Sequence, residues 1–202
     1  HHSHQAWGVD GKLDSLRCWL VGNRLVVEQS LSQSLGTRFL KVNHAGEQGA
    51  ICIYSGQILM ARLTAPDLTP ILAEFKSHEQ SHRATFWAEL QRRGERRCRS
   101  YWLCSLGGLV LGLVTGLLGR NAIMVTTVAI ERVVLSHLEH QVEALQGMDT
   151  DAIAAISSIV ADEKSHHDKS AANVQRSGLG LKMLSSMVSS STEWVIWVGM
   201  RV

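Results

Sequence analysis

Proline is almost missing from these 202 residues, with Pro66 and Pro70 the only two, which excludes proline-rich linkers and favours a folded chain. A dominant charge sign is missing as well. Twenty Lys and Arg against 18 Asp and Glu leave a formal net charge of +2 with the signs interspersed, so the strongly basic face that nucleic acid demands is not expected. The four cysteines, Cys18, Cys52, Cys98 and Cys104, form no Cys-x-x-Cys pair and are too sparse for a disulfide framework, which points to a reducing compartment. No glycine fingerprint for a nicotinamide or flavin cofactor occurs, so neither is expected to be tightly held. The chain starts His1-His2-Ser3-His4 without Met or an apolar secretory run, and those histidines read as a tag remnant without chemistry.

What the sequence does have is 45% hydrophobic and 19% charged residues, the balance of a mostly helical globular protein. Its length suits a single domain over 1–202 with a real core, of which residues 1–35 form an N-terminal extension that carries its own helix. Leu, Trp and Val at helical spacing place that leading helix at residues 12–34. A second helix is predicted from Arg38 to about Leu63, ended by the Pro66 and Pro70 segment, and a third from Asp67 or Pro70 to Arg93, with Gly94 as its stop. Residues 101–119 hold no charge. A helix from about Ala122 to Gln146 closes at Gly147, and another, capped by Asp149 or Thr150, runs to about Arg176. Helix signals fade in the tail beyond about Ser190.

Glu-x-x-His occurs twice inside these helices, at Glu79–His82 and Glu163–His166. Positions i and i+3 share a helix face, so each pair can address one ion. A lone Glu-x-x-His is weak, but Glu47 precedes Glu79 and Glu131 precedes Glu163 by the same interval. The chain therefore reads as two helical hairpins, each giving one Glu from its first helix and Glu-x-x-His from its second. Residues 94–121 are long enough to connect the hairpins along the bundle. The predicted fold is all-α: a ferritin-like four-helix bundle with a long apolar crossover helix and additional terminal helices.

Each of these Glu lies among residues that should face a core, such as Ile51 and Tyr54 for Glu47 or Phe75 and Phe86 for Glu79. Four unpaired carboxylates in one interior would be prohibitive. Two divalent cations resolve the conflict, and oxygen and nitrogen ligands without thiolate favour iron or manganese over structural zinc. The expected metal ligands are Glu47, Glu79, His82, Glu131, Glu163 and His166. Candidates for supporting or substrate-contacting roles are His44, Tyr54 and His137, while His78, His140 and His167 are expected to face solvent.

The segments Val42-Asn-His-Ala-Gly-Glu-Gln-Gly-Ala50, Ile53-Tyr-Ser-Gly-Gln57, Glu79-Gln-Ser-His82, Val128-Ala-Ile-Glu131 followed by His137, and Asp162-Glu-Lys-Ser-His-His-Asp168 carry a resemblance. Over about residues 36–190 the chain resembles the demethoxyubiquinone hydroxylases of ubiquinone biosynthesis. It departs from them at Glu131-Arg132, where many relatives have paired acids. The resemblance implies two Fe ions per chain held by those four Glu and two His, with Glu79 and Glu163 bridging. It implies a monooxygenase that uses O2 to hydroxylate the ring of a polyprenylated demethoxyubiquinol, in contact with other ubiquinone-biosynthesis proteins. The setting would be the cytoplasmic side of a bacterial inner membrane, or a mitochondrial inner membrane. An iron-storing or ferroxidase protein without organic substrate would use nearly the same ligands, and a helical membrane adaptor would use them as an ion-pair network.

Residues 101–119 would extend about 28 Å as a helix, near the thickness of a hydrocarbon core. Gly107, Gly108, Gly112, Gly116 and Gly119 instead suit close helix packing, so one face is expected on the protein and the other in a membrane interface. Arg92, Arg93, Arg96, Arg97 and Arg99 precede that segment, and Tyr101 and Trp102 stand where an aromatic belt would lie. Peripheral membrane contact is thus expected over about 92–120.

Overall fold

In the computed structural model, the backbone is described for residues 9–176 and 178–201, and side chains from residue 34 onward over the same stretches. The leading His residues lie outside that description, as do the side chains of the N-terminal extension up to residue 33. Helices are α1 (Val9–Thr64), α2 (Thr69–Arg92), α3 (Tyr101–Leu117), α4 (Arg120–Ala144), α5 (Thr150–Ser157), α6 (Val160–Ala172) and α7 (Leu179–Gly199), with a 3-10 turn at Pro66–Leu68. No strand occurs among the described residues.

Two helices expected over 12–34 and 38–63 are one, because no proline interrupts the chain between them. The weak point would be Gly36, yet a Cβ there would come within 2.0 Å of Asp149 Oδ2, so glycine lets α1 pass close to the start of α5. The single helix expected from Asp149 to Arg176 is two, broken at Ser158 and Ile159. The Ser157–Ser158 pair supplies the break: Ser158 Oγ donates to Ala155 O at 2.8 Å, competing with the backbone ladder. Asp149 caps α5 by accepting from Ala152 N at 3.1 Å. The tail stays helical to Gly199, well past Ser190; Gly199 is buried there, 3.1–3.6 Å being the reach of a Cβ to Val42 and Ser100. Gly94 and Gly147, with φ of 69° and 71°, end α2 and α4 as their positions predict.

The bundle is built from the C-terminal half of α1 with α2, and from α4 with α5 and α6. At one end Leu40, Phe86, Leu90, Leu138 and Ile156 interlock, and at the other Tyr54, Leu72, Phe75, Ile123 and Met124 do so. The six residues expected as ligands lie between these two apolar plugs. Crossover helix α3 lies along α1, and α7 lies along α4. The glycine stripe sets the first contact: a Cβ on Gly108 would meet Gly49 O at 2.3 Å, and one on Gly112 would meet Ile53 O at 2.1 Å. Only hydrogen fits at either position. The opposite face of α3 is bare, with Trp102, Leu106, Val110, Val114 and Leu117 exposed. Among the described residues, α4 alone is long and apolar enough to cross a membrane, with a mean hydropathy of 1.2. Half of it is buried in the bundle and it carries Glu131, which is what a core helix of this fold requires.

Candidate metal centre

Glu47 comes from α1, Glu79 and His82 from α2, Glu131 from α4, and Glu163 and His166 from α6. All six are buried, none more than 6% exposed. They meet as two overlapping groups, Glu47, Glu79, His82, Glu163 and Glu79, Glu131, Glu163, His166, each with one ligand atom per residue within 4.8 Å of the others. Glu79 and Glu163 belong to both groups. His82 Nδ1 lies 2.9 Å from Glu163 Oε1 and 3.5 Å from Glu79 Oε2. His166 Nδ1 lies 3.1 Å from Glu79 Oε1 and 3.7 Å from Glu163 Oε2. Despite these short approaches, His82 Nδ1, His166 Nδ1, Glu79 Oε1 and Glu163 Oε1 lack the alignment of a hydrogen bond. Buried polar atoms that converge without bonding one another fit cations between them.

Protons stabilise this arrangement when no cation does. Burial drives the Glu47 and Glu131 carboxyls well above the usual range, and neighbouring carboxylate charges push the same way: Glu79 foremost on Glu47, Glu163 foremost on Glu131. Burial works against the charged imidazoles, but the Glu163 and Glu79 carboxylates outweigh it and raise His82 to about 10 and His166 to about 9. Glu163 moves the other way: burial opposes its charge, yet His166 and His82 overcome it and keep this carboxylate ionised.

The surroundings explain how these six side chains are held. Tyr54, among the sequence candidates, donates its hydroxyl to Glu131 Oε1 at 3.0 Å. His44 is turned toward other rings, 5.3 Å from both Trp87 and Tyr101, and burial lowers it to about 4. His137 is half-buried on the wall of a cavity that Glu47, Glu79, Glu131 and Glu163 also line. His140 is exposed and His167 half-buried, but His78 departs from the solvent-facing expectation. It is half-buried, with Nδ1 3.0 Å from His166 Nε2 and its ring stacked on that imidazole at 5.2 Å. Asp162, not singled out in the sequence, places Oδ2 3.1 Å from His82 Nε2. A signal for both was present. Each immediately precedes the Glu of a Glu-x-x-His pair, and each reaches the imidazole of the opposite pair.

The cavity is about 300 Å³ and has Glu47, Glu79, Glu131 and Glu163 in its lining. Its walls are otherwise mainly apolar, from α1 (Val42, Ala50, Ile53), α3 (Leu103, Leu111), α4 (Ile130, Val134, Leu138) and α7 (Val195, Ile196). Outer residues of the two flanking helices are exposed and apolar: Trp102, Leu106 and Val110 on α3, Met187, Trp194 and Trp197 on α7.

Arg92 to Arg99 do not form one free cationic patch. Arg92 pairs with Glu89 and Asp151, Arg93 with Glu89 and Asp149, and Arg97 lies over the Trp87 and Tyr101 rings. Arg96 and Arg99 are exposed and without an ion pair among the described residues. Tyr101 is buried, donating to Gln48 Oε1 at 2.9 Å, whereas Trp102 is 73% exposed.

Four helices that gather four carboxylates and two imidazoles between apolar plugs define a ferritin-like carboxylate–histidine bundle able to bind metal. Residues 34–199 match the family of the ubiquinone biosynthesis protein COQ7. This chain belongs to that family. It is 32% identical over 165 residues to a 3-demethoxyubiquinol 3-hydroxylase of Rhodospirillum rubrum, covering 82% of this chain and 77% of that one. It is 29% identical over 186 residues to a mitochondrial NADPH-dependent 3-demethoxyubiquinone 3-hydroxylase of Dictyostelium discoideum, covering 88% and 82%. A mouse protein of the same name is 29% identical over 157 residues, covering 76% and 70%.

Proposed function

We propose that the chain binds two iron ions and hydroxylates the ring of a demethoxyubiquinol with O2 at a membrane surface. The observation that carries this reading is the apolar cavity reaching the carboxylates, a space an organic ring can enter. Glu79 and Glu163, common to both groups, are the residues to be shared between the ions. Glu47 with His82 would complete one position, and Glu131 with His166 the other. Bound iron supplies the O2 chemistry.

The chain's own residues set the conditions for it. Apolar walls exclude water and hold the ring against the ligand carboxylates. The Tyr54 hydroxyl fixes one oxygen of Glu131. Burial lowers the His137 pKa, with His140 adding to that and Glu193 opposing it, so its imidazole is neutral at pH 7 and suited to accept a hydrogen bond from a ring hydroxyl. The polyprenyl tail would leave between α3 and α7, whose exposed Leu, Val, Met and Trp side chains suit the lipid interface.

Anaerobically iron-loaded protein, given a short-chain demethoxyubiquinol analogue, reductant and O2, should form the hydroxylated quinol. Replacing Glu163→Ala should abolish both metal retention and product. Less than about one metal per chain would defeat the di-metal reading. Absence of product with rapid oxidation of many Fe(II) per chain would favour a storage protein, a reading that leaves the cavity without an occupant.

A further inference from the structure

The two halves of the ligand cluster mirror each other in first contacts but not in what stands behind them. His82 Nε2 faces a carboxylate, Asp162 Oδ2, at 3.1 Å. The equivalent atom of the other half, His166 Nε2, faces a second imidazole, His78 Nδ1, at 3.0 Å. With Nδ1 of each imidazole directed at the shared carboxylates, its proton resides on Nε2 once Nδ1 gives its lone pair to a cation. His82 then donates to a carboxylate and His166 to a second imidazole. An anionic acceptor draws the proton outward and makes the imidazole the stronger donor. The terminal carboxylates differ in the same direction: Glu131 receives the Tyr54 hydroxyl at 3.0 Å, which draws charge from it, while no hydroxyl or amide donates to the Glu47 side chain among the described residues.

Resting on the di-metal reading above, we infer that the two positions are unequal: the Glu47–His82 half binds the first divalent cation, and the Glu131–His166 half takes the second more weakly. Asp162 and His78 act here as positioning residues, through the imidazoles they contact. Asp162 is half-exposed, so its replacement by Asn leaves the packing intact.

The test is titration of metal-free full-length protein with Mn(II), following the free aquo ion by electron paramagnetic resonance to obtain two stepwise affinities. Repulsion between neighbouring cations weakens the second step even for equal sites, so the variants decide. If the halves are unequal, Asp162→Asn weakens the first step about tenfold and leaves the second unchanged. If they are equivalent, the first ion moves to the intact half, and the second step weakens instead. A loss spread evenly over both steps marks a general field effect. Either of the last two results overturns the inference. His78→Asp supplies the converse: the second step strengthens about tenfold with the first unchanged, whereas strengthening of the first step alone overturns the assignment. Wild-type protein that binds no Mn(II) defeats the di-metal reading itself, an outcome distinct from two ions bound equally.

Discussion

Alanine at Gly112 tests whether the crossover helix is locked onto α1 by backbone contact. A Cβ there would lie 2.1 Å from Ile53 O, 2.8 Å from Ile53 C and 2.9 Å from Ile53 Cα. These are backbone atoms of a long helix and cannot swing aside, so the helices must separate by more than an ångström to reach ordinary contact. Overpacking of this kind costs about 1–3 kcal/mol, against which the better helix propensity of Ala returns about 1 kcal/mol. Gly107 is the internal control. It lies on the same helix with nothing within 4 Å of its would-be Cβ, so Gly107→Ala takes only the propensity gain. Thermal unfolding followed by circular dichroism should lower Tm for Gly112→Ala by up to roughly 8 °C and raise it by roughly 2–4 °C for Gly107→Ala. Because Gly107 and Gly108 also line the cavity wall, the Gly112 variant should bind the quinol analogue less tightly. Equal Tm shifts for both variants would refute the idea that direct α1–α3 backbone contact sets this interface.

Metal affinity should rise with pH. In the metal-free site His82, held near 10, and His166, near 9, carry protons at neutrality, and burial with the neighbouring carboxylates raises the Glu47 and Glu131 carboxyls. Cations must displace those protons, so Mn(II) binding measured from pH 6 to 8 should tighten steadily, and a flat profile would contradict the assignment. Asp149→Ala should destabilise by roughly 2 kcal/mol in urea titration, since it removes the α5 cap and a partner of Arg93. Asp149 itself has its carboxyl held low, chiefly by the Arg93 guanidinium. Its contribution is therefore present above the unfolded value near 3.8 and fades as pH falls through the lower folded one, so the gap between wild type and Asp149→Ala should narrow in strong acid. On anionic liposomes the protein should pellet, and replacing Trp102→Glu with Leu106→Glu should leave it in the supernatant without loss of helicity.

The helical class, the hairpins and the glycine-lined crossover were legible because each rests on a local rule: helical periodicity, proline and glycine stops, small residues where backbones touch. Where the sequence misled, the deciding contact was distant. Gly36 reads as a weak point in any helix, but Asp149, far along the chain, makes it the residue that fits. Nothing in the periodicity of 149–176 distinguishes a straight helix from one broken at Ser158, because the break is a choice of that hydroxyl between solvent and Ala155 O. The arginines before α3 read as one patch, while Asp149, Glu89 and the Trp87 and Tyr101 rings engage three of them.

The candidate site divides along the same line. The convergence of Glu47, Glu79, His82, Glu131, Glu163 and His166 follows from equal spacing in two hairpins, because antiparallel helices of matched register bring matched positions to one depth. The partners behind the imidazoles obey no such register. His78 and Asp162 occupy matched positions, each just before a Glu, yet one is a base and the other an acid, and only the fold shows that each crosses to the opposite pair. Matching positions therefore build the symmetric inner cluster, and unlike residues at the next matching position break that symmetry. A bundle made from two similar hairpins can in this way keep equal ligand sets while giving its two metal positions unequal donor strength.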